Sequence, residues 1–318
     1  MNGPTLPSRI RSKTVSVVIP TIGLSDHLES IVNVLLSHGG SRVQIIVCQS
    51  GSDRIYNLPS QVTYIRYQPL LLAAASRNYA SGYATGDYLL FLDDDNIIDG
   101  SLVDTLAAVL DSFTSISLVG PMAYQSHSST VIQCSGVYHR KYFGLTDWRH
   151  DDFTSSLAIR ICDAVPNIYM VRRTEFEGIH GFDSDWFPMD FEESDLAYRL
   201  KSRFGGLAAI TSSVTVRHDV PRTTASSMIP KSIERAYTMG RNRSLFYARH
   251  FSTISWLSWL FIAAPIMFAL YAVNITRAHN ITTRYKWKLV RSLARGYGSG
   301  SLMSFRYKWQ LWLDNFKK

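Results

Sequence analysis

The chain has 318 residues, of which 46% are hydrophobic and 18% charged, and a formal net charge of +8. That length holds one large α/β domain with an appendage, and the ordinary globular composition excludes a disordered or low-complexity chain. Cys48, Cys134 and Cys162 are widely spaced and form no C-x-x-C pair. They exclude a disulfide framework and a thiolate metal site, and they suit a reducing compartment.

The basic charge is concentrated at one end. From Arg277 onward there are ten Lys/Arg against a single acid, Asp314. A polyanionic surface is the expected partner of that segment. Residues 1–13 carry Arg9, Arg11 and Lys13 without the apolar core of a signal peptide, and are expected to form a flexible basic arm.

In chain order, "TVSVVIP" (14–20) is a β-branched run closed by a proline, which predicts a buried strand. "SDHLESIVNVLLSHGG" places Leu28, Ile31, Val32 and Leu35 at helical spacing, with acids at the start and Gly39–Gly40 at the stop. "VQIIV" (43–47), "VTYIRY" (62–67) and "DYLLFL" (87–92) predict three more strands. The next helix, "DGSLVDTLAAVLDSF", offers Ser101 and Asp104 as a capping pair and Leu102, Leu106, Val109, Leu110 and Phe113 as an apolar stripe. Strand and helix alternating in this rhythm predict a mostly parallel, Rossmann-like sheet flanked by helices, with ligands beyond the carboxyl ends of the strands.

From 118 to 190 the pattern loosens, with "SLVGPMAY", "VIQCSGVY" and "IYMVRR" as expected strands. "PMDFEESDLAYRLKSRFGG" predicts a helix, acids first and bases last, and "AAITSSVTVRHD" a strand. Residues 254–275 then run without a charge, long enough at 1.5 Å per residue to cross a ~30 Å hydrocarbon core. Both flanks read as cytoplasmic by charge, and Pro265 interrupts the middle. The expectation is a bent or re-entrant hydrophobic hairpin followed by a basic interfacial helix at "RYKWKLVRSLARGYG". The domains expected are therefore a catalytic unit at 14–235 and a membrane-associating helical region at 236–318, apolar over 254–275 and basic over 277–318.

The chemistry concentrates at "YLLFLDDDNII" (88–98), where a strand runs into three aspartates. Adjacent carboxylates repel, and solvent, protonation or a divalent cation relieves them. Mg²⁺ and Mn²⁺ are hard cations that take oxygen ligands and bridge to phosphates.

The succession "VVIPT", "SGSD" (50–53), "AAASRNYASGYATGDYLLFLDDD", "VGP" and "FEESDLAYRL" resembles the family 2 glycosyltransferases. The resemblance implies a GT-A fold, a nucleotide-diphosphate sugar donor and a DXD motif binding donor and metal. Carried over, Pro20 and Thr21 line the nucleotide pocket, and Arg77 and Asn78 of "SRNYASG" sit beside the donor phosphates. Asp93 and Asp94 hold the nucleotide sugar, while Asp95 and Asp93 hold the Mn²⁺ or Mg²⁺, with His218 of "TVRHD" completing the shell. Gln49 stands where the family usually has a base-holding aspartate; a neutral amide can still read a base edge.

Glu193 falls at the family's catalytic-base position and Asp195 at the acid that follows, a serious alternative base. An inverting transfer needs such a carboxylate to take the acceptor hydroxyl's proton. A phosphate acceptor is already ionised, so a carboxylate at 193 favours a sugar hydroxyl. Arg241 and Arg243, with Arg249, suit a phosphate of the donor or of a lipid carrier.

These features predict a glycosyltransferase held at the cytoplasmic membrane face that extends a lipid-linked glycan, with anionic lipids as a partner and nucleic acid not among them. The alternatives are a nucleotidyltransferase on a similar sheet and a non-enzymatic basic membrane or nucleic-acid binding protein.

Overall fold

The computed structural model describes residues 13–126, 130–154, 158–219, 229–230, 232–279 and 281–316. The expected arm at 1–13 lies outside these except for Lys13, as do the last two lysines. The chain opens with β1 (Val15–Thr21), α1 (Leu28–Gly39), β2 (Val43–Ser50), β3 (Thr63–Tyr67), α2 (Ala73–Ser81) and β4 (Tyr88–Leu92). There follow β5 (Asn96–Ile97), α3 (Leu102–Ser112), β6 (Ile116–Gln125), β7 (Ile132–Cys134), β8 (Gly136–His139), β9 (Thr146–Arg149), β10 (Ile159–Cys162) and β11 (Ile168–Arg172). The rest comprises α4 (Arg173–Gly178), α5 (Glu192–Phe204), β12 (Leu207–His218), α6 (Ile233–His250), α7 (Thr253–Ser258), α8 (Ala264–Arg277) and α9 (Thr283–Phe316).

The main sheet has the order β10-β12-β6-β11-β4-β1-β2-β3. β1 pairs in parallel with β2 and β4, β2 with β3, and β6 with β12, whereas β11 and β10 run the other way. The sheet is thus mostly parallel, and the carboxyl ends of β1, β2, β4 and β12 share one edge.

Strand side chains alternate between faces, so β1 sends Val15, Val17 and Ile19 to one core and Val18 to the other. Helices α1 and α3 cover the first core through Leu28, Ile31, Val32, Leu102 and Leu106. Helices α2, α4 and α5 cover the second through Ala74, Ala80, Phe176, Leu196 and Leu200.

Several local expectations change. Ser101 does not cap α3; its hydroxyl bonds Asp99 instead, and Phe113 lies just past the helix, exposed. The single strand expected at "VIQCSGVY" breaks at Ser135 into β7 and β8, and β8 pairs with β9 in a separate hairpin. Residues 73–81, which carry no clear apolar period, form a helix because Ala74, Ser76, Arg77 and Ala80 pack into the second core.

Pro265 does not break the apolar segment. Residues 253–277 form one helix, with a π turn at Trp259–Ala263 immediately before α8 and Pro265 in the first turn of α8. A π turn displaces the hydrogen-bond ladder by one residue, which accommodates the missing N–H.

Helix α6 crosses the boundary expected at 235/236 and is tied to the α/β unit. Asn242 donates to the carbonyls of Met189 and Asp190 at 2.8 Å each. Helix α9 runs parallel to α6, with Ser292 bonded to Ile233 and Tyr237 to Ser299. A Cβ at Gly296 would come within 2.1 Å of the Tyr237 carbonyl, and one at Gly300 within 2.4 Å of the Arg241 carbonyl, so glycine sets this close approach. Helices α7 and α8 run antiparallel to α9, Trp256 bonding Ser304 at one end and Lys286 bonding the Thr276 carbonyl at the other.

Candidate functional site

The three aspartates follow β4 at the sheet's carboxyl edge, and each meets a different environment. Asp93 accepts from Arg77 Nη2 at 2.7 Å. Asp94 is half-buried, and that burial pushes its carboxyl up to about 6; Asp95 and Asp93 add to that rise and the Thr21 hydroxyl opposes it. Asp95 is more exposed than Asp93, with Oδ2 3.0 Å from His218 Nε2. Strand β5 brings these two together, because it pairs with the end of β12 and sets His218 opposite Asn96.

Arg77 explains how the charges coexist. Its side chain is 2% exposed, and Nη1 reaches Glu192 at 3.1 Å and Glu193 at 3.4 Å while Nη2 holds Asp93. One buried guanidinium therefore ties the aspartate motif to the first turn of α5. A planar fork with several fixed donors suits this bridging.

Glu193 is 18% exposed. Burial pushes its carboxyl up, Arg77 draws it back and Asp93 raises it further. Glu192 is buried more deeply, raised well above its usual value by burial and by Glu193, and one of its oxygens has no partner among the described residues. The turn before α5 is strained, since Asp190 and Phe191 both have positive φ, 63° and 73°. Helix α6 holds that turn, with Arg235 and Thr238 donating to the Asp190 carboxylate.

Asp195 faces away from this cleft. It is fully buried and accepts from Arg199 at 2.6 Å, His250 at 2.8 Å and Arg249 at 3.2 Å. Burial alone would raise its carboxyl, but His250, Arg199 and Arg249 hold it below the usual value. With every approach taken by a cation or an imidazole, it joins α5 to α6 and has no room to receive a proton from an acceptor.

His218 is anchored behind Asp95, where Nδ1 meets Gln133 at 2.7 Å and Asn167 at 3.2 Å. Pro20 and the buried Thr21 end β1 beside the aspartates, and Thr21 Oγ1 accepts from Gly23 N. Gln49 is buried, its amide donating to the Ser52 and Arg54 carbonyls and its oxygen accepting from Tyr64. It shapes the 52–54 loop from beneath.

Asn78 spends both ends of its amide on the backbone of Phe182. Arg241 donates to the carbonyls of Trp186 and Asp185, and Arg243 lies over the rings of Phe191 and Trp259. The structure thus gathers Thr21, Arg77, Asp93, Asp94, Asp95, Glu193 and His218 around one edge, and uses Gln49, Asn78, Asp195 and Arg241 inside the frame.

Four participants were not legible in the sequence. Glu192 was hidden beside Glu193, and Gln133, in the short strand β7, and Asn167, in the loop before β11, belong to no motif. Asp219 donates its N–H to the Asp95 carbonyl and binds His27, closing β12 onto the loop after β1.

Residues 16–169 match the family model "Glycosyl transferase family 2". No curated protein sequence matches the chain. Among solved structures, the chain is similar to GalNAc-T7 with UDP, GalNAc and Mn²⁺, at 15% identity and a TM-score of 0.55, covering 77% of this chain and 54% of that one. The chain thus spans about half the length of GalNAc-T7.

It is also similar to the mannosyltransferase PcManGT from Pyrobaculum calidifontis in complex with GDP-Man and Mn²⁺, at 14% identity and a TM-score of 0.54, covering 91% of this chain and 87% of that one. A third is glucosyl-3-phosphoglycerate synthase from Mycobacterium tuberculosis with Mg²⁺ and UDP, at 15% identity and a TM-score of 0.51, covering 75% and 80%. At these identities the likenesses establish the fold. Residues 16–169, just under half of the chain, are similar to the family 2 glycosyltransferases, and the mostly parallel sheet that contains them shares the fold of these glycosyltransferase structures, the GT-A fold.

Proposed function

We propose that the chain is an inverting, metal-dependent glycosyltransferase that moves a sugar from a nucleotide-diphosphate donor to a hydroxyl of a lipid-linked saccharide. The observation that carries this reading is the Arg77 bridge, which holds Glu193 beside the aspartate motif. Glu193 accepts the proton of the acceptor hydroxyl as that oxygen attacks the anomeric carbon. The bond from the anomeric carbon to the diphosphate breaks, and its electron pair leaves with the nucleotide. Burial that raises the Glu193 carboxyl makes it a stronger proton acceptor.

The residues present fit a hard divalent cation. Asp95 and His218 face each other, and the far side of the imidazole is fixed by Gln133 and Asn167, as an outer shell fixes a metal-ligating histidine. No group of three His, Cys, Asp or Glu that could hold a metal occurs among the described residues. Mg²⁺ and Mn²⁺ can be held by one or two protein ligands, with water and substrate phosphate completing their shell. When bound, the cation would supply positive charge to the departing diphosphate. Asp93, expected to share it, is engaged by Arg77 in this arrangement.

The membrane part of the reading rests on the helix at 253–277, whose mean hydropathy is 1.9 and whose apolar window is one-third buried. Ile254, Phe261, Ile262, Ile266 and Val273 expose an apolar stripe along it. Helix α9 returns beside α8 bearing exposed Arg284, Lys288, Arg291 and Arg295. A crossing α8 would drag those charges into the hydrocarbon core, at high cost. The helices therefore lie along an anionic surface, on the cytoplasmic face that basic segments favour.

Glu193→Gln tests the chemistry. Turnover should fall about 10²–10⁴-fold, while Mn²⁺-dependent thermal stabilisation by a nucleotide sugar persists. Unchanged turnover would remove Glu193 from the mechanism.

A further inference from the structure

Resting on that membrane reading, we propose that the tip of the β8–β9 hairpin is a second membrane-contacting element, carried by the catalytic unit itself, which sets the bilayer a short distance from Glu193. The turn between β8 and β9 exposes Tyr142 (51%), Phe143 (48%) and Leu145 (44%) consecutively, apart from Gly144. A short polar turn would suffice to join four-residue strands, so three large apolar side chains there call for a partner.

The tip is seated on the apolar helix. Phe143 donates its N–H to Ser258 Oγ at 3.3 Å, and Tyr247 donates its hydroxyl to the Arg140 carbonyl at 2.7 Å. Gly144 packs so closely on Trp259 that a Cβ would fall 2.4 Å from its ring. Ser258 shares a helix face with Ile254, Phe261 and Ile262, which lie four residues before and three and four after it. Those three side chains are 72%, 68% and 51% exposed. The apolar surface of the hairpin therefore continues that of the helix.

Charge selects the occupant. Arg140 and Lys141 are exposed at the tip; among the described residues Asp147 forms ion pairs with Arg140 and Arg149, and Asp151 at the far end of β9 also feels the charge of Arg149. Basic side chains around an apolar tip, beside a helix with a basic neighbour, complement an anionic bilayer.

The root of the hairpin reaches the helix that carries the base, at the next residue. His139, the last residue of β8, lies 2.8 Å from Ser194 Oγ, and Ser194 follows Glu193 in α5. From His139 to Tyr142 is three residues, at most roughly 10 Å even if fully extended, and residues 141–144 form a turn that shortens it. An acceptor saccharide anchored in the bilayer is thereby delivered along the hairpin to the carboxylate that deprotonates it.

The three natural cysteines are buried, so a thiol introduced at the tip labels selectively. Full-length Tyr142→Cys and, as a control, Asn33→Cys on an exposed position of α1 are labelled with a polarity-sensitive fluorophore and mixed with phosphatidylcholine–phosphatidylglycerol vesicles. The label at 142 should shift to an apolar environment and the one at 33 should not. Tyr142→Ser with Leu145→Ser should weaken vesicle binding on the order of tenfold, because binding scales with buried apolar area. Mn²⁺-dependent nucleotide-sugar binding should be unaffected by either change.

If the protein sediments with vesicles and the 142 label stays polar, the hairpin proposal is overturned and the helical anchor stands. If the protein does not sediment at all, both fall. A shift at 142 that needs no vesicles and grows with protein concentration assigns the tip to a second copy of the chain, and also overturns the proposal.

Discussion

Two acids two positions apart, Glu193 and Asp195, are separated by their surroundings. Glu193 keeps a partly open carboxylate, whereas Asp195 is enclosed by Arg199, Arg249 and His250. Removing one partner of a buried ion pair leaves uncompensated charge and costs about 3–5 kcal/mol. Asp195→Asn is therefore expected to lower stability by that order, while Glu193→Gln leaves the melting temperature near that of the parent. Because Asp195 is held below its usual value, its contribution is present above the unfolded-state pKa and is lost as pH falls through the folded one. Chemical denaturation of the parent and Asp195→Asn should converge at acid pH. A difference that persists there would show that Asp195 stabilises by packing alone.

At the scale of elements, α6 does two jobs with two faces. One face, through Arg235, Thr238 and Asn242, holds the strained turn that starts α5. The other receives α9 through glycines. Gly300→Leu would force a side chain against the Arg241 carbonyl, and overpacking of this kind costs about 1–3 kcal/mol. Thermal unfolding should register that loss. Nucleotide-sugar turnover should fall with it, since a displaced α6 releases Asp190 and Phe191 and with them Glu193. Loss of stability with unaltered turnover of the folded fraction would disconnect α9 from the site.

For the whole molecule, the apolar and basic surfaces lie on the same group of helices. Raising ionic strength from 0.1 to 1 M shortens the screening length from about 10 to about 3 Å. Binding to anionic vesicles should weaken steeply across that range and still leave a residual component from the apolar stripe. Sedimentation with vesicles at the two salt concentrations measures this, and binding indifferent to salt would remove the basic face from the interaction. Deleting 254–318 is a less direct test, because α9 covers Ala236 and Tyr237 and its loss exposes a core of its own.

The sequence by itself determined the strands β1 to β4, helices α1, α3 and α5, and the carboxyl edge on which the aspartates fall. Periodicity reports burial on one face, and burial is what those elements share. It also determined which family the chain resembles, since the order of short motifs survives where overall identity does not. Only the tertiary structure decided that Arg77 lies beneath the carboxylates, that Asp195 and Gln49 are spent on the frame, and that Pro265 sits within a continuous helix. The pairing of β8 into a hairpin was equally invisible, because β9 is four residues long and its one apolar side chain, Trp148, is exposed. The Arg77 bridge and the enclosure of Asp195 depend on contacts between residues distant in the chain, as Arg77 is from Glu192, whereas Pro265 is accommodated by a local π turn and Gln49 by the loop that follows it. Local pattern records what a residue is, and long-range packing fixes which partner consumes its charge.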